Sequence, residues 1–238
     1  MIFSLPARAK LNLDLEVIGR RPDGYHDIRT TMQTIELHDL VTLGAVEANV
    51  TGDNSVLKAH AALERAANRK LDVAFQLDKR IPPGSGMGGA SSDAAAALIA
   101  LKSIFKLDID LERVAAEVGS DVPFFLRGGR AVVEGRGERV TPLPDQDSWF
   151  VIAWPGIELS TRSVYEAWDE VGGDDLRRAA AHVEPRLEDF ARELGDGWRL
   201  TGSGSAFFKP VDSAEEGRDA IAELDCWKVV TRSVGRWA

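Results

Sequence analysis

Four glycines fall within six residues in the stretch Pro82-Pro83-Gly84-Ser85-Gly86-Met87-Gly88-Gly89-Ala90-Ser91-Ser92. Upstream, Val73, Phe75 and Leu77 alternate in the period of a strand, and downstream an Ala/Leu/Ile run to Phe105 has the composition of a buried helix. Ser91-Ser92-Asp93 supply the short polar residues expected at its start. A glycine loop set between a strand and a helix lets backbone N–H groups and the positive end of the helix converge on one anion. A polyphosphate suits that arrangement. No lysine follows the glycines as in a Walker A loop, and the spacing is not that of a dinucleotide fingerprint. The plain alternative is a flexible turn with a serine N-cap.

Twenty-nine basic against 38 acidic residues leave a net charge of −9. That balance argues against a nucleic-acid partner, whose phosphates are gripped by clustered Lys and Arg. A phosphate ligand here must instead be held by local donors. The single cysteine, Cys226, rules out an internal disulfide or a Cys-based zinc cluster and suits a reducing compartment; it reads as structural. No apolar run approaches the ~18 residues of a membrane span, and MIFSLPARAKLNLDLEV lacks the pattern of a signal peptide. The expectation is a soluble cytoplasmic protein, with 238 residues sufficient for one large domain or two compact ones.

From Lys10, Leu11, Leu13, Leu15 and Val17 alternate with Lys10, Asn12, Asp14 and Glu16 as in a half-buried strand with a polar face. Arg20 to Gly24 is a turn, and Thr31 to Leu43 is its extended partner, making a long antiparallel pair. Helices are expected over Val56–Ala67, Leu111–Val118, from Thr161, over Asp174–Leu194 and over Ala214–Leu224. Strands are expected around a turn at Gly128-Gly129 between Val122 and Val133, and at Trp149–Trp154, Ala206–Lys209 and Lys228–Val234. Hairpins mixed with helices favour an α+β arrangement with a boundary near residue 150.

Other segments carry candidate chemistry. Asp121, in Gly119-Ser120-Asp121-Val122-Pro123-Phe124-Phe125, follows a helix stop and precedes an apolar run, where a carboxylate can be held at the edge of a core; an ordinary turn aspartate is the alternative. Thr201-Gly202-Ser203-Gly204-Ser205 offers further backbone donors or a simple turn. Tyr25-His26 presents a stacking ring and a hydrogen-bonding ring, or a partly exposed loop pair. Lys10 judged alone is a solvated lysine. His38, His60 and His182 stand in no metal-ligand spacing.

Taken in order, Ala9-Lys10-Leu11-Asn12-Leu13, Asp23-Gly24-Tyr25-His26, the glycine loop, the Asp121 segment and Thr201 to Ala206 resemble the GHMP kinase superfamily. Within it they resemble the branch acting on a cytidine-diphosphate-linked methylerythritol in non-mevalonate isoprenoid synthesis. The resemblance runs from about residue 6 to 210. It implies an α+β fold: a ribosomal protein S5 domain 2-like N-terminal domain, residues 1–150, packed on a shortened ferredoxin-like C-terminal domain, 151–238. It implies transfer of the γ-phosphoryl group of ATP, with Mg²⁺ carried mainly by the ATP, to the acceptor's 2-hydroxyl.

By position, Asp121 would be the catalytic base and Lys10 its charged assistant. Pro82, Pro83, Gly84, Ser85, Gly86, Met87, Gly88, Gly89, Ala90, Ser91 and Ser92, with Asn54, would bind ATP. Asn12, Tyr25, His26, Thr161, Tyr165, Gly202 and Ser203 would bind the acceptor. No residue is assigned to a metal. The implied partners are these small molecules, with no nucleic acid or membrane, for a monomer or weak homodimer. The chain departs from the pattern in being trimmed around residues 44–72 and 170–200 and in having Ala90 where glycine is common. Another GHMP small-molecule kinase, or a catalytically silent nucleotide-binding regulator of the same fold, are the alternatives.

Overall fold

The computed structural model describes residues 2–236. Its first sheet is organised on one 19-residue strand, β3 (His26–Gly44), with β1 (Ile2–Asn12) and β2 (Glu16–Arg20) along one edge. β4 (Ala74–Asp78) and β5 (Arg130–Gly135) lie along the other, and β6 (Arg139–Pro142) pairs with β5. All of these pairings are antiparallel. The long antiparallel pair expected from the sequence is present, but its first member starts at Ile2 rather than Lys10 and breaks after Asn12.

The register slips between Arg8↔His38 and Lys10↔Thr34, so β3 carries extra residues there. Such a bulge reverses which side chains point inward. Ile28, Thr30 and Met32 are buried before it, and Asp39, Val41 and Leu43 after it. Around it Ala9, Lys10, Leu11 and Asn12 are all buried, because the second sheet covers the face that alternation alone would leave in water. Lys10, expected to be solvated, is 3% exposed.

One face of the first sheet is covered by α1 (Ser55–Ala67), α2 (Gly89–Phe105), α3 (Leu111–Val118) and α4 (Val122–Arg127). The segment expected to begin a strand at Val122 is helical instead. Pro123 stands in its first turn, where a missing N–H costs nothing, and Phe124 and Phe125 drop into the core before Gly128 ends it. Five apolar residues in a row, Val122 to Leu126, have no periodicity to separate the two outcomes. α2 begins at Gly89 with Gly88 as its N-cap, so Ser91 and Ser92 lie inside its first turn instead of capping it.

The second half runs β7 (Trp149–Trp154), α5 (Thr161–Val171), α6 (Arg177–Val183), α7 (Arg186–Leu194), β8 (Arg199–Leu200), β9 (Phe207–Val211), α8 (Ala214–Ala220) and β10 (Trp227–Arg232). Its antiparallel sheet has the order β10-β7-β9-β8, the fourth-first-third-second plan of a ferredoxin-like unit. The single helix expected over Asp174–Leu194 is broken at Pro185, which cannot donate an interior hydrogen bond. α8 stops at Ala220, short of Leu224.

Ala9, Leu11 and Ile35 of the first sheet meet Phe150, Ile152 and Phe208 of the second, with Ile81, just before the glycine loop, and Met87, within it, packed in the same cluster. After β10 the chain crosses back to β3: Val234 N–H donates to Thr34 O at 2.9 Å, and Val234 O accepts from Gln33 Nε2 and Thr34 Oγ1 at 3.1 and 2.8 Å. Among the described residues no helix is long and apolar enough to cross a membrane.

Candidate active site

The glycine loop is wedged between the two halves. Gly84 O accepts from Leu159 N and Ser205 N, each at 3.1 Å, Ser85 O accepts from Ala206 N at 3.0 Å, and Met87 O accepts from Lys10 N at 3.0 Å. Two glycines are required by shape. A Cβ on Gly86 (φ +79°) would lie 2.2 Å from Thr201 O, and one on Gly88 (φ +75°) 2.7 Å from Phe125 Cζ. No side chain caps α2. Its first amides, at Gly89, Ala90 and Ser91, border a cleft of about 1000 Å³, where they present the positive end of the helix to an anion.

Lys10 enters the cleft from β1, opposite these amides. Its Nζ donates to Asn12 Oδ1 and, at 2.6 Å, to Gly86 O, and it stands 3.8 Å from Asp121 Oδ2. Burial pulls the ammonium below its usual lysine range, and the Asp121 carboxylate opposes that fall. Asp121 occupies the N-cap position of α4 without using its side chain as a cap, so the carboxylate is free to face the cleft. Asn12 is held in turn by Thr201, whose Oγ1 accepts from its backbone N–H at 3.0 Å, and by Thr30, whose Oγ1 accepts from its Nδ2 at 2.9 Å.

Beneath the loop lies a second charged group that sequence reasoning missed. Asp39 is fully buried and accepts from Arg80 N at 2.5 Å, Ile81 N at 2.8 Å and Lys79 Nζ; Lys79 also donates to Asp93 Oδ2 at 2.8 Å. Asp39, Lys79 and Asp93 therefore clamp the loop's entry to the first turns of α2. Burial raises the Asp93 carboxyl to about 7 against the pull of Lys79. Its Oδ1 has no partner.

Across the cleft, His26 is 8% exposed and stacks on Tyr165 (4.9 Å between centroids, 26° between planes). Burial, with the Asp121 charge adding to it, drives the Tyr165 hydroxyl far above its usual value, so it remains a donor. Tyr25 is half exposed, with the Arg136 guanidinium 4.8 Å from its ring centre. Thr161 and Ser203 share a 3.0 Å hydroxyl contact that joins α5 to the β8–β9 loop.

The cleft thus gathers Lys10, Asp121, Asn12, Tyr25, His26, Thr161, Tyr165, Gly202 and Ser203 from segments far apart in the chain. Pro82 to Gly86 and Gly88 to Ser91 line it as well. Two loop residues turn away: the Met87 side chain is fully buried in the inter-sheet core, and Ser92 is 2% exposed with its Oγ donating to Gly89 O at 2.9 Å. Asn54 borders the cleft but also caps α1, its Oδ1 accepting from Val56 N at 2.8 Å. Arg20, Lys79, Asp93, Arg136 and Asp169 line the cleft too, and no local pattern singles them out.

Residues 54–129 match the family model for the GHMP kinases N terminal domain. The chain is 38% identical to the 4-diphosphocytidyl-2-C-methyl-D-erythritol kinase of Thermotoga maritima, over 87% of this chain and 92% of that protein. It is 36% identical to the enzyme of that name from Chromohalobacter salexigens, over 90% and 84%. A crystal structure of 4-(cytidine 5'-diphospho)-2C-methyl-D-erythritol kinase superposes with a TM-score of 0.84 at 32% identity, covering 98% of this chain and all of that one. Homoserine kinase from Cytophaga hutchinsonii shares the fold at a TM-score of 0.68 and 16% identity, over 99% and 95%. By sequence and architecture together, the chain belongs to the GHMP kinases and, among them, to the 4-diphosphocytidyl-2-C-methyl-D-erythritol kinase family.

Proposed function

We propose that the protein transfers the γ-phosphoryl group of ATP to the 2-hydroxyl of 4-diphosphocytidyl-2-C-methyl-D-erythritol, a step of non-mevalonate isoprenoid precursor synthesis. The observation that carries this is the placement of Lys10 and Asp121 opposite uncapped helix amides in a family of that activity. In this reading residues 1–150 are the ATP-binding N-terminal domain and 151–238 the shortened C-terminal domain, with the acceptor bound between them. The protein acts in the cytoplasm on small molecules.

Phosphoryl transfer asks a protein mainly for positioning and charge stabilisation. The amides of Gly88 to Ser91 hold the β- and γ-phosphates. Asp121 accepts the proton of the acceptor hydroxyl as its oxygen bonds to the γ-phosphorus, and the bond to the bridging oxygen breaks to release ADP. Lys10, pinned by Gly86 O and Asn12 and 3.8 Å from Asp121, offsets charge on the transferring group. Mg²⁺ enters as part of the MgATP substrate, where it neutralises phosphate charge. Among the described residues no three His, Cys, Asp or Glu side chains cluster as a metal site.

Tyr25, His26 and Tyr165 form the wall for the cytosine ring, and Thr161, Gly202 and Ser203 border the phosphorylated polyol. ADP release measured with ATP and the cytidyl acceptor, mevalonate, homoserine or galactose tests the proposal. Turnover with the cytidyl compound is expected. Binding of ATP with no ADP release from any acceptor would refute kinase activity, and preference for another acceptor would refute the substrate.

A further inference from the structure

Three residues of α5, one helical turn apart, converge on His26. Tyr165 stacks on its ring, Trp168 meets it edge-on (5.4 Å, 84°), and Asp169 Oδ1 lies 2.7 Å from Nε2. The other oxygen of Asp169 stands 3.3 Å from Nη1 of Arg20, the strand neighbour of His26. Phosphoryl transfer as derived above makes no use of Asp169 or Arg20.

The hydrogen bond has only one polarity. An ionised carboxylate accepts and never donates, here from the ring on one oxygen and from the Arg20 guanidinium on the other. The shared proton therefore sits on Nε2 of His26. In the neutral ring the other nitrogen, Nδ1, is then a bare acceptor. Nδ1 makes no hydrogen bond to the described residues, and it is not among the sealed unpartnered atoms, which are Asp93 Oδ1, Arg130 Nε and Thr231 Oγ1. His26 itself lines the cleft.

Pyrimidine bases differ in what they show to such a group. Cytosine carries an exocyclic amine, a donor, where uracil carries a carbonyl oxygen, an acceptor. An acceptor nitrogen pairs with the first and opposes the second. We propose that Asp169 is a specificity-determining positioning residue that, by fixing the His26 proton on Nε2, leaves Nδ1 to select cytosine over uracil. This rests on the base-reading role given to His26 above.

The substitution Asp169→Asn is nearly isosteric and makes an inverted prediction. Arg20 only donates, so the asparagine oxygen turns to Arg20 and its NH₂ turns to His26. Nε2 then becomes the acceptor, and the proton moves to Nδ1.

The test pairs two readouts on the full chain. Nitrogen NMR with ¹⁵N-labelled histidine reads the tautomer without any ligand, and titration with CMP and UMP reads base preference without turnover. Expected are Nε2–H in the wild type, Nδ1–H in Asp169→Asn, and a CMP-over-UMP preference that falls by about tenfold or more in the variant. Nδ1–H in the wild type overturns the proposal even if the variant does not fold. So does an undiminished CMP preference in Asp169→Asn, or a wild type that binds both nucleotides equally. A wild type that prefers CMP yet phosphorylates no cytidyl acceptor refutes the proposed reaction alone.

Discussion

Replacing Gly86 by alanine adds one carbon at the most tightly enclosed of the described glycines. That Cβ would lie 2.2 Å from Thr201 O, 2.9 Å from Gly204 N and 3.0 Å from Gly204 O, all backbone atoms of the β8–β9 loop that cannot swing away as a side chain would. Restoring an ordinary contact moves this loop by about 1 Å. Alanine at φ +79° costs about 1 kcal/mol in backbone strain, and overpacking adds about 2 kcal/mol. The total of about 3 kcal/mol corresponds to a fall in Tm of about 6–12 °C for a chain of this size.

Gly195 has nearly the same angle, φ +77°, but nothing within 4 Å of its added carbon, so Gly195→Ala isolates the strain, about 2–4 °C. Gly86 O also accepts from Lys10 Nζ, and a shift of about 1 Å at the reacting centre lowers kcat by about 10²-fold. Scanning calorimetry of both variants, with ADP release measured on each, checks the reasoning. Gly86→Ala melting within two or so degrees of Gly195→Ala, with kcat unchanged, would show that the loop is not wedged as described.

Two further outcomes are expected. Asp121→Asn keeps the shape but cannot take the acceptor proton, so kcat drops by at least ~10²-fold while ATP affinity, measured by titration, stays within a fewfold; near-normal turnover would remove Asp121 from the base role. Asp93, raised to about 7 chiefly by burial, holds its proton in the folded state at pH values where the unfolded chain has lost it. Its contribution is complete below about pH 4 and is lost as the pH rises through 7. The wild type should therefore lose several degrees of Tm relative to Asp93→Asn between pH 5 and pH 8, and parallel melting curves over that range would contradict the raised carboxyl.

What the sequence displays is what the backbone dictates locally. The glycine loop, the helices on either side of residue 70 and the apolar strand at Trp149 rest on φ preferences and periodicity, and they stand where expected. α4 escaped because a run of five apolar residues is compatible with either state until Pro123 and Gly128 are weighed as its start and stop. The burial of Lys10 escaped for a different reason: the sheet that covers it is supplied by residues some 140 positions later.

The clamp of Asp39, Lys79 and Asp93 joins groups 40 and 14 residues apart, and the His26–Asp169 contact spans 143. Charged residues that meet only through the tertiary fold leave no spacing to read. Pro185, by contrast, marks the break between α6 and α7 plainly, beneath a charge pattern that looks continuous.

Two contacts that tie the first sheet to the second half come from late in the chain: Thr201 Oγ1 accepts from Asn12 N across 189 positions, and Gln33 Nε2 donates to Val234 O across 201. Closures of that span come late in folding and later still in synthesis. At ribosomal speeds, the glycine loop emerges roughly ten seconds before residue 201. A nascent chain can therefore form the glycine loop and its contact with Lys10 before Thr201, which holds Asn12, has been made. Thr201, Ser205 and Ala206 reach Asn12 and the glycine loop only when the β8–β9 segment has been made, so the cleft is completed by residues that the ribosome adds late.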